Sequence, residues 1–332
     1  MNAHVLVSLI AVVVLGGLAY AGGQASGLQF IFGVILPYMA VTIFVFGFTR
    51  KIIGWGRSAV PFAIPTTCGQ QKSFSWINQA KVDNPSTKLG VVIRMVLEIT
   101  VFRSLFRNTL MEVRDGGKLS YEWEKWLWIA ALAFHYSFLV VLLRHMRFFF
   151  EPVPAVIKLL EALDGFLQIG LPGLFMSGFV LLGAALYLFV RRMIHPQVNY
   201  ISLAADYFPL FLIMAIALTG IRMRYVTKVD IVAIKSLTMG LVTLNPTIPD
   251  GVSPLFFTHL FLVCVLLAYF PFSKLMHMGG VFMSPTRNML ANTREYRHVN
   301  PWNYPVKKHT YEEYEDDFRE KMIEAGLPVE KE

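Results

Sequence analysis

Four histidines stand in stretches that are otherwise almost wholly apolar: His135 and His145, ten residues apart, and His259 and His277, eighteen apart. Imidazole is the commonest metal ligand among side chains, and ionisable groups inside membrane-type segments are rare and usually functional. One such histidine could simply hydrogen-bond a neighbouring helix. Two pairs on two segments point to ligation. On straight helices the first spacing is a rise of ~15 Å and the second ~27 Å. At ~100° per residue His259 and His277 share a face, and His135 and His145 differ by about 80°. If the two segments run antiparallel the partners cross, His135 opposite His277 and His145 opposite His259. Each pair then offers both axial ligands to a b-type haem between the helices, giving two bis-His haems b. Filling both faces of the iron suits electron transfer rather than oxygen binding. The rises differ by ~12 Å, which helix tilt, the helix-breaking Pro271 between the later histidines and haems tilted to the bilayer must absorb. Zinc fits less well, because structural zinc takes four compact ligands.

Haem propionates need cations near the membrane edges. Arg144, Arg147, Arg222 and Arg224 stand at one edge, and Arg191, Arg192 and Lys274 at the other. Arg147, Glu151, Lys158 and the intramembrane Asp206 are candidates to contact a quinone headgroup or relay its protons. Each of these also reads as an interface residue, a helix cap or half of an ion pair. The two cysteines, Cys68 and Cys264, form no CxxC or CxxCH pattern, which excludes a Cys-ligated cluster or a covalent haem built by this chain alone.

The elements that must position these groups follow from hydropathy. Of 332 residues 55% are hydrophobic and only 16% charged, with a mean hydropathy of +0.53, against about 25% charged in soluble domains. About six stretches are long enough to cross a bilayer: Val5–Ala21, Leu28–Phe48, Trp126–Phe149, Phe166–Val190, Ser202–Met223 and Leu255–His277. The first has Ala19-Tyr20-Ala21 at its end, like a signal-peptide cleavage site, but no Lys or Arg leads it, so it reads as a span. Basic residues crowd segment 49–125, Arg191–Arg192 and the tail after His277. With six alternating spans these fall on one side, which the positive-inside preference makes cytoplasmic. The expectation is a multi-pass protein of the cytoplasmic (inner) membrane with both termini inside.

The organisation is therefore an extra N-terminal span (1–27), a second span (28–49), a cytoplasmic insertion (50–122), a four-helix membrane core (123–278) and a cytoplasmic tail (279–332). In the insertion, Lys88–Met111 sets apolar residues against Arg94, Arg103 and Arg107. It reads as a helix on the membrane surface, or as a docking surface for a partner. Trp123, Trp126 and Trp128 suit an interfacial belt. The acidic stretch YEEYEDDFRE (311–320) reads as a solvated face or a partner contact. Nucleic-acid binding is not supported, since the basic residues follow topology.

The four histidines at these two spacings resemble the nitrate reductase gamma subunit family. That resemblance implies an all-α bundle of five spans, the pairs His135/His277 and His145/His259 on two haems b, and a quinol site beside the outer haem. Outside the spans, IPTTCGQQKSFSW (64–76), SPTRNMLANTREYRHVNPWN (284–303) and NYPVKKHTYEEYEDDFREKM (303–322) look like the DsrM cytochrome b subunits of sulfite reductase-associated complexes (DsrMKJOP). This implies menaquinone as substrate, a cytoplasmic iron–sulfur subunit (DsrK-like) as neighbour, and further membrane and extracytoplasmic subunits. The first span and the long insertion depart from the nitrate reductase pattern, so quinone-site residues do not transfer from it. The rival readings are a haem-free membrane anchor for a redox subunit and a proton-coupled transporter; no internal repeat supports the latter.

Overall fold

A computed structural model describes residues 3–58, 60–64, 69–107, 109–167, 173–296 and 309–331, with the side chains of 109–112, 114 and 119–123 outside the description. Parts of the three DsrM-like segments, Cys68, the Trp123 side chain and part of the expected fourth span (168–172) lie outside the described residues.

The chain is nearly all helical. In order, the helices are α1 (Ala3–Gln24), α2 (Leu36–Arg57), α3 (Lys88–Val101), α4 (Arg103–Phe106), α5 (Lys125–His145), α6 (Ala155–Asp164), α7 (Met176–Ile194), α8 (Pro196–Tyr200), α9 (Ala204–Arg222), α10 (Ile231–Val242), α11 (Pro254–Tyr269), α12 (His277–Met283) and α13 (Tyr311–Glu324). Among the described residues, six spans are long and apolar enough to cross a membrane: Ala3–Gln24, Ser26–Arg57, Lys125–Phe148, Met176–Ile194, Ala204–Thr227 and Pro254–Phe272. Helices satisfy their own backbone groups, which lipid cannot do. The outward faces are correspondingly apolar and exposed, as at Val13, Phe46, Leu142 and Leu218. This is a multi-pass membrane protein.

Among the described residues, α7 packs against α5 and α9, α9 against α11, α11 against α2, and α1 lies in the groove between α9 and α11. Val12, Leu212 and Leu262 form the buried core where α1, α9 and α11 meet. The α5 and α11 backbones are not in comparable contact; the space between them is bridged by side chains.

Three expected boundaries are corrected and one local element is added. The fourth span begins at Met176, not Phe166; Phe166 follows α6, after Asp164 and Gly165 have ended that helix. The sixth span ends at Phe272 rather than His277, with the helix broken at Pro271 as the proline predicts. Its α-helix ends at Tyr269, Phe270–Phe272 tightens to 3-10, and Ser273 is extended before a new turn at Lys274–Met276. Pro271 has no N–H to continue the ladder, and it is buried against α2, where a Cβ on Gly47 would lie 2.7 Å from its Cβ. The insertion helix stops at Val101, because Phe102 adopts a left-handed conformation (φ 49°) that turns the chain into α4. Finally, an antiparallel hairpin, β1 (Thr109–Arg114) and β2 (Lys118–Trp123), joins the otherwise all-α architecture. Gly116 and Gly117, at φ 80° and 73°, supply the positive-φ turn that such a hairpin needs.

The insertion and the tail form one cap on the side where α5 begins. Asp83 pairs with Arg103 (3.0 Å) and Arg107 (3.3 Å), Lys72 with Glu295 (2.7 Å), and Glu98 with Arg287 (2.8 Å). The Ala291 N–H donates to the Pro85 carbonyl at 2.8 Å. We refer below to this as the cap side and to the opposite end as the far side.

Candidate functional site: two imidazole pairs between α5 and α11

The four histidines meet as two pairs. His135 of α5 and His277 at the start of α12 have ring centroids 5.8 Å apart, with planes at 84°. His145, the last residue of α5, and His259, in the second turn of α11, are 6.3 Å apart and nearly parallel at 18°. The break at Pro271 accounts for the unequal sequence spacings: the eighteen residues between His259 and His277 are not one straight helix. His135, His145 and His277 are exposed and His259 half-buried.

Every Nδ1 is occupied. His135 donates to the Ala131 carbonyl (2.8 Å), His145 to Val141 (2.7 Å) and His277 to Lys274 (2.8 Å). A carbonyl only accepts, so Nδ1 carries the hydrogen and Nε2 keeps its lone pair. His259 Nδ1 lies 2.9 Å from the Thr219 hydroxyl, whose own hydrogen has the Ala215 and Ile216 carbonyls to serve. The Thr219 oxygen therefore accepts from His259. Close approach of α9 is possible there because residue 220 is glycine; a Cβ would stand 3.3 Å from His259 Cε1.

This donor set fits haem b. Two metal–imidazole bonds of ~2 Å plus two ring half-widths set centroids about 6 Å apart, the spacing of both pairs. Acceptors on Nδ1 orient such ligands and raise their basicity. Among the described residues no group of three or more His, Cys, Asp or Glu stands together as a metal site.

The cations expected at the propionates are mostly engaged elsewhere. Arg144 pairs with Asp164 at 2.5 Å and donates to Ser177 at 3.0 Å, lying 3.3 Å from the centre of the Phe175 ring. Arg224 lies over the same ring at 3.9 Å and donates to the Gly173 carbonyl. Arg147 holds Glu161 at 2.8 Å. Arg222 is exposed at the end of α9, one turn beyond Thr219. On the cap side Arg191 pairs with Glu124 (3.0 Å), and Arg192 and Lys274 both turn to Asp206 (3.9 and 2.6 Å).

The four quinone candidates do not form one site. Arg147, Glu151 and Lys158 lie together on the far side, where Glu151 pairs with Lys235 of α10, which holds its carboxyl below the usual range. Asp206 is in the first turn of α9, on the cap side, and caps the Leu203 N–H at 3.1 Å. The far side also holds a cavity of about 380 Å³ lined by Glu161, Phe166, Phe175 and Arg224 among others. Sequence reasoning missed Glu161 and Phe175. Glu161 is four residues before Gly165 on an amphipathic helix, and nothing local marks it; only its pairing with Arg147 does.

The nitrate reductase gamma subunit family model matches residues 89–299. The chain belongs to that family. It is also 45% identical over 280 residues to the Hdr-like menaquinol oxidoreductase cytochrome b-like subunit of Archaeoglobus fulgidus, covering 82% of this chain and 83% of the relative. The corresponding subunit of Archaeoglobus profundus is 42% identical over 275 residues, with 81% of each chain covered. Both alignments extend beyond the 211-residue family match, so the likeness to these subunits includes segments outside the family core.

Proposed function

We propose that this chain is the dihaem cytochrome b subunit of a membrane complex that links menaquinol or menaquinone to a cytoplasmic iron–sulfur subunit. The observation that carries it is the pair of facing imidazoles at 5.8 and 6.3 Å with every Nδ1 engaged. Family membership and the cytochrome b-like relatives support the same reading.

His135 and His277 hold one haem b, and His145 and His259 the other. When bound, the haems supply reversible one-electron transfer, which joins two-electron quinone chemistry on one side to a one-electron carrier on the other. The remaining work belongs to the chain. The carbonyls of Ala131, Val141 and Lys274 and the Thr219 hydroxyl fix the ring tautomers. Arg222 is the exposed cation for a far-side propionate. The quinone headgroup binds on the far side, beside the Arg147–Glu161 pair and the cavity that Glu161 lines. Oxidising a quinol there releases two protons with its two electrons, and Glu161 is the carboxylate placed to accept one. Glu151 and Lys158, near the surface, stand on the proton's route to water.

The basic cap side is cytoplasmic, in the inner membrane, with both termini there. The iron–sulfur partner docks on it, and the DsrM-like segments favour a DsrK-like subunit of a sulfite reductase-associated complex, accompanied by other membrane and extracytoplasmic subunits.

The test is a reduced-minus-oxidised spectrum of the purified complex with pyridine haemochrome quantitation. Two haems b per chain are expected in the natural protein, and one in each of His145→Ala and His277→Ala. A variant that retains both haems would overturn the pairing, and a folded natural chain without haem would leave the membrane-anchor reading.

A further inference from the structure

The helix α3 is built inside out. Its charged residues Arg94 and Glu98 are 5% and 9% exposed, while Leu89 and Val92 on the other face are 70% and 58% exposed. Ile93 and Val96 continue that apolar face, at the i, i+3, i+4, i+7 spacing of one helical stripe. A helix of a water-facing cap would bury this stripe and expose the charges. Here Glu98 instead accepts from Arg287 of the tail (2.8 Å) and from the N–H and hydroxyl of Ser104 (3.0 and 2.7 Å).

The level of α3 is fixed independently. Trp128 of α5 donates its indole N–H to the Val101 carbonyl at 2.7 Å, and the Tyr136 hydroxyl donates to the Thr100 carbonyl at 2.8 Å. These are carbonyls that a helix end leaves without partners. Trp128 is three residues into the Lys125–Phe148 span and Tyr136 eleven, or ~4.5 and ~16 Å along it. The end of α3 is thus tied to a transmembrane helix between its interfacial turn and its middle, where the solvent for an apolar face is lipid.

We propose that α3 is an in-plane membrane element whose Leu89, Val92, Ile93 and Val96 face sits among the acyl chains of the cap-side leaflet. Its polar face latches the tail to the insertion. Through the left-handed joint at Phe102, α3 also sets the Phe102 ring edge-on to His135, at 4.9 Å. The bilayer therefore backs the wall of the cap-side imidazole pair. This inference rests on the membrane fold and is independent of haem content.

Site-directed spin labelling of the whole complex in phospholipid nanodiscs tests it, in a Cys68→Ser background with Cys264 left buried. A nitroxide on Val92→Cys should be several-fold more accessible to oxygen relative to a nickel chelate than one on Lys118→Cys, at the exposed hairpin turn. Two results would overturn the proposal. Nickel access at Val92 equal to that at Lys118 would place the face in water. An immobilised label shielded from both reagents would mean that a protein subunit covers it.

Discussion

His259 differs from the other three histidines in meeting a side-chain hydroxyl as well as a backbone carbonyl, that of Ile216. A mutation can remove the hydroxyl without disturbing a helix. Thr219→Val is close in shape and removes the hydroxyl acceptor, leaving His259 only the Ile216 backbone carbonyl. Losing a hydrogen-bond partner of a ligating imidazole typically costs ~10–100-fold in metal affinity or activity. We expect a shifted midpoint potential and weakened retention of the far-side haem alone, with Thr219→Ser close to the natural protein. Redox titration with haem quantitation reads both; an unchanged potential in Thr219→Val would deny the hydroxyl its role. The histidines were legible because imidazoles inside apolar runs stand out. Thr219 was not, because a threonine inside a span is ordinary until its neighbour across the helix interface is known. The arginines show the same limit: Arg144 and Arg147 lie near the expected level but are bound to Asp164 and Glu161, partners supplied by α6.

At the scale of elements, the chain break at Pro271 is the feature on which the cap-side pair depends. It moves His277 off the axis of α11 and onto its own turn, held by Ser273, whose hydroxyl accepts the Leu275 N–H at 3.1 Å. Gly47→Leu would drive a side chain into Pro271 and overpack this contact, at a cost of about 1–3 kcal/mol. The cap-side haem should be lost first, which thermal release of haem followed by absorbance would show. A separate element carries a pH dependence. Glu315 of α13 accepts the N–H groups of Glu330 and Lys331 (2.8 and 2.9 Å). These bonds, ahead of the Arg319 contact, hold its pKa below the ordinary carboxylate value. The depressed value means that the clasp is stabilising above that ordinary value, about pH 4, and is lost as pH falls through the lower folded-state pKa. The protection of the 330 and 331 amides from exchange, taken relative to the intrinsic rate at each pH, should fall only on acidification below that range. The Glu315→Gln variant should show fast exchange at neutral pH as well.

For the molecule as a whole, the net charge of +8 is concentrated on the cap side by topology. Association with the proposed iron–sulfur partner should then weaken as salt rises above ~0.15 M, where the Debye length falls below about 8 Å; co-purification yield across a salt series measures it. Span number and order could be read from the sequence, because crossing a bilayer requires a long apolar run and helix geometry makes length a local property. So could the crossed order of the histidine pairs, which antiparallel neighbours impose. Tertiary structure alone decided which way α3 faces, where the fourth and sixth spans end, and which carboxylate each arginine meets. The physical reason is the same in each case. A hydrophobic stripe is as compatible with lipid outside as with protein inside, and an ion pair is selected by distance through space, which sequence separation does not encode. Arg144 meets Asp164 from twenty residues away and Glu98 meets Arg287 across 189, contacts that exist only once the helices have packed.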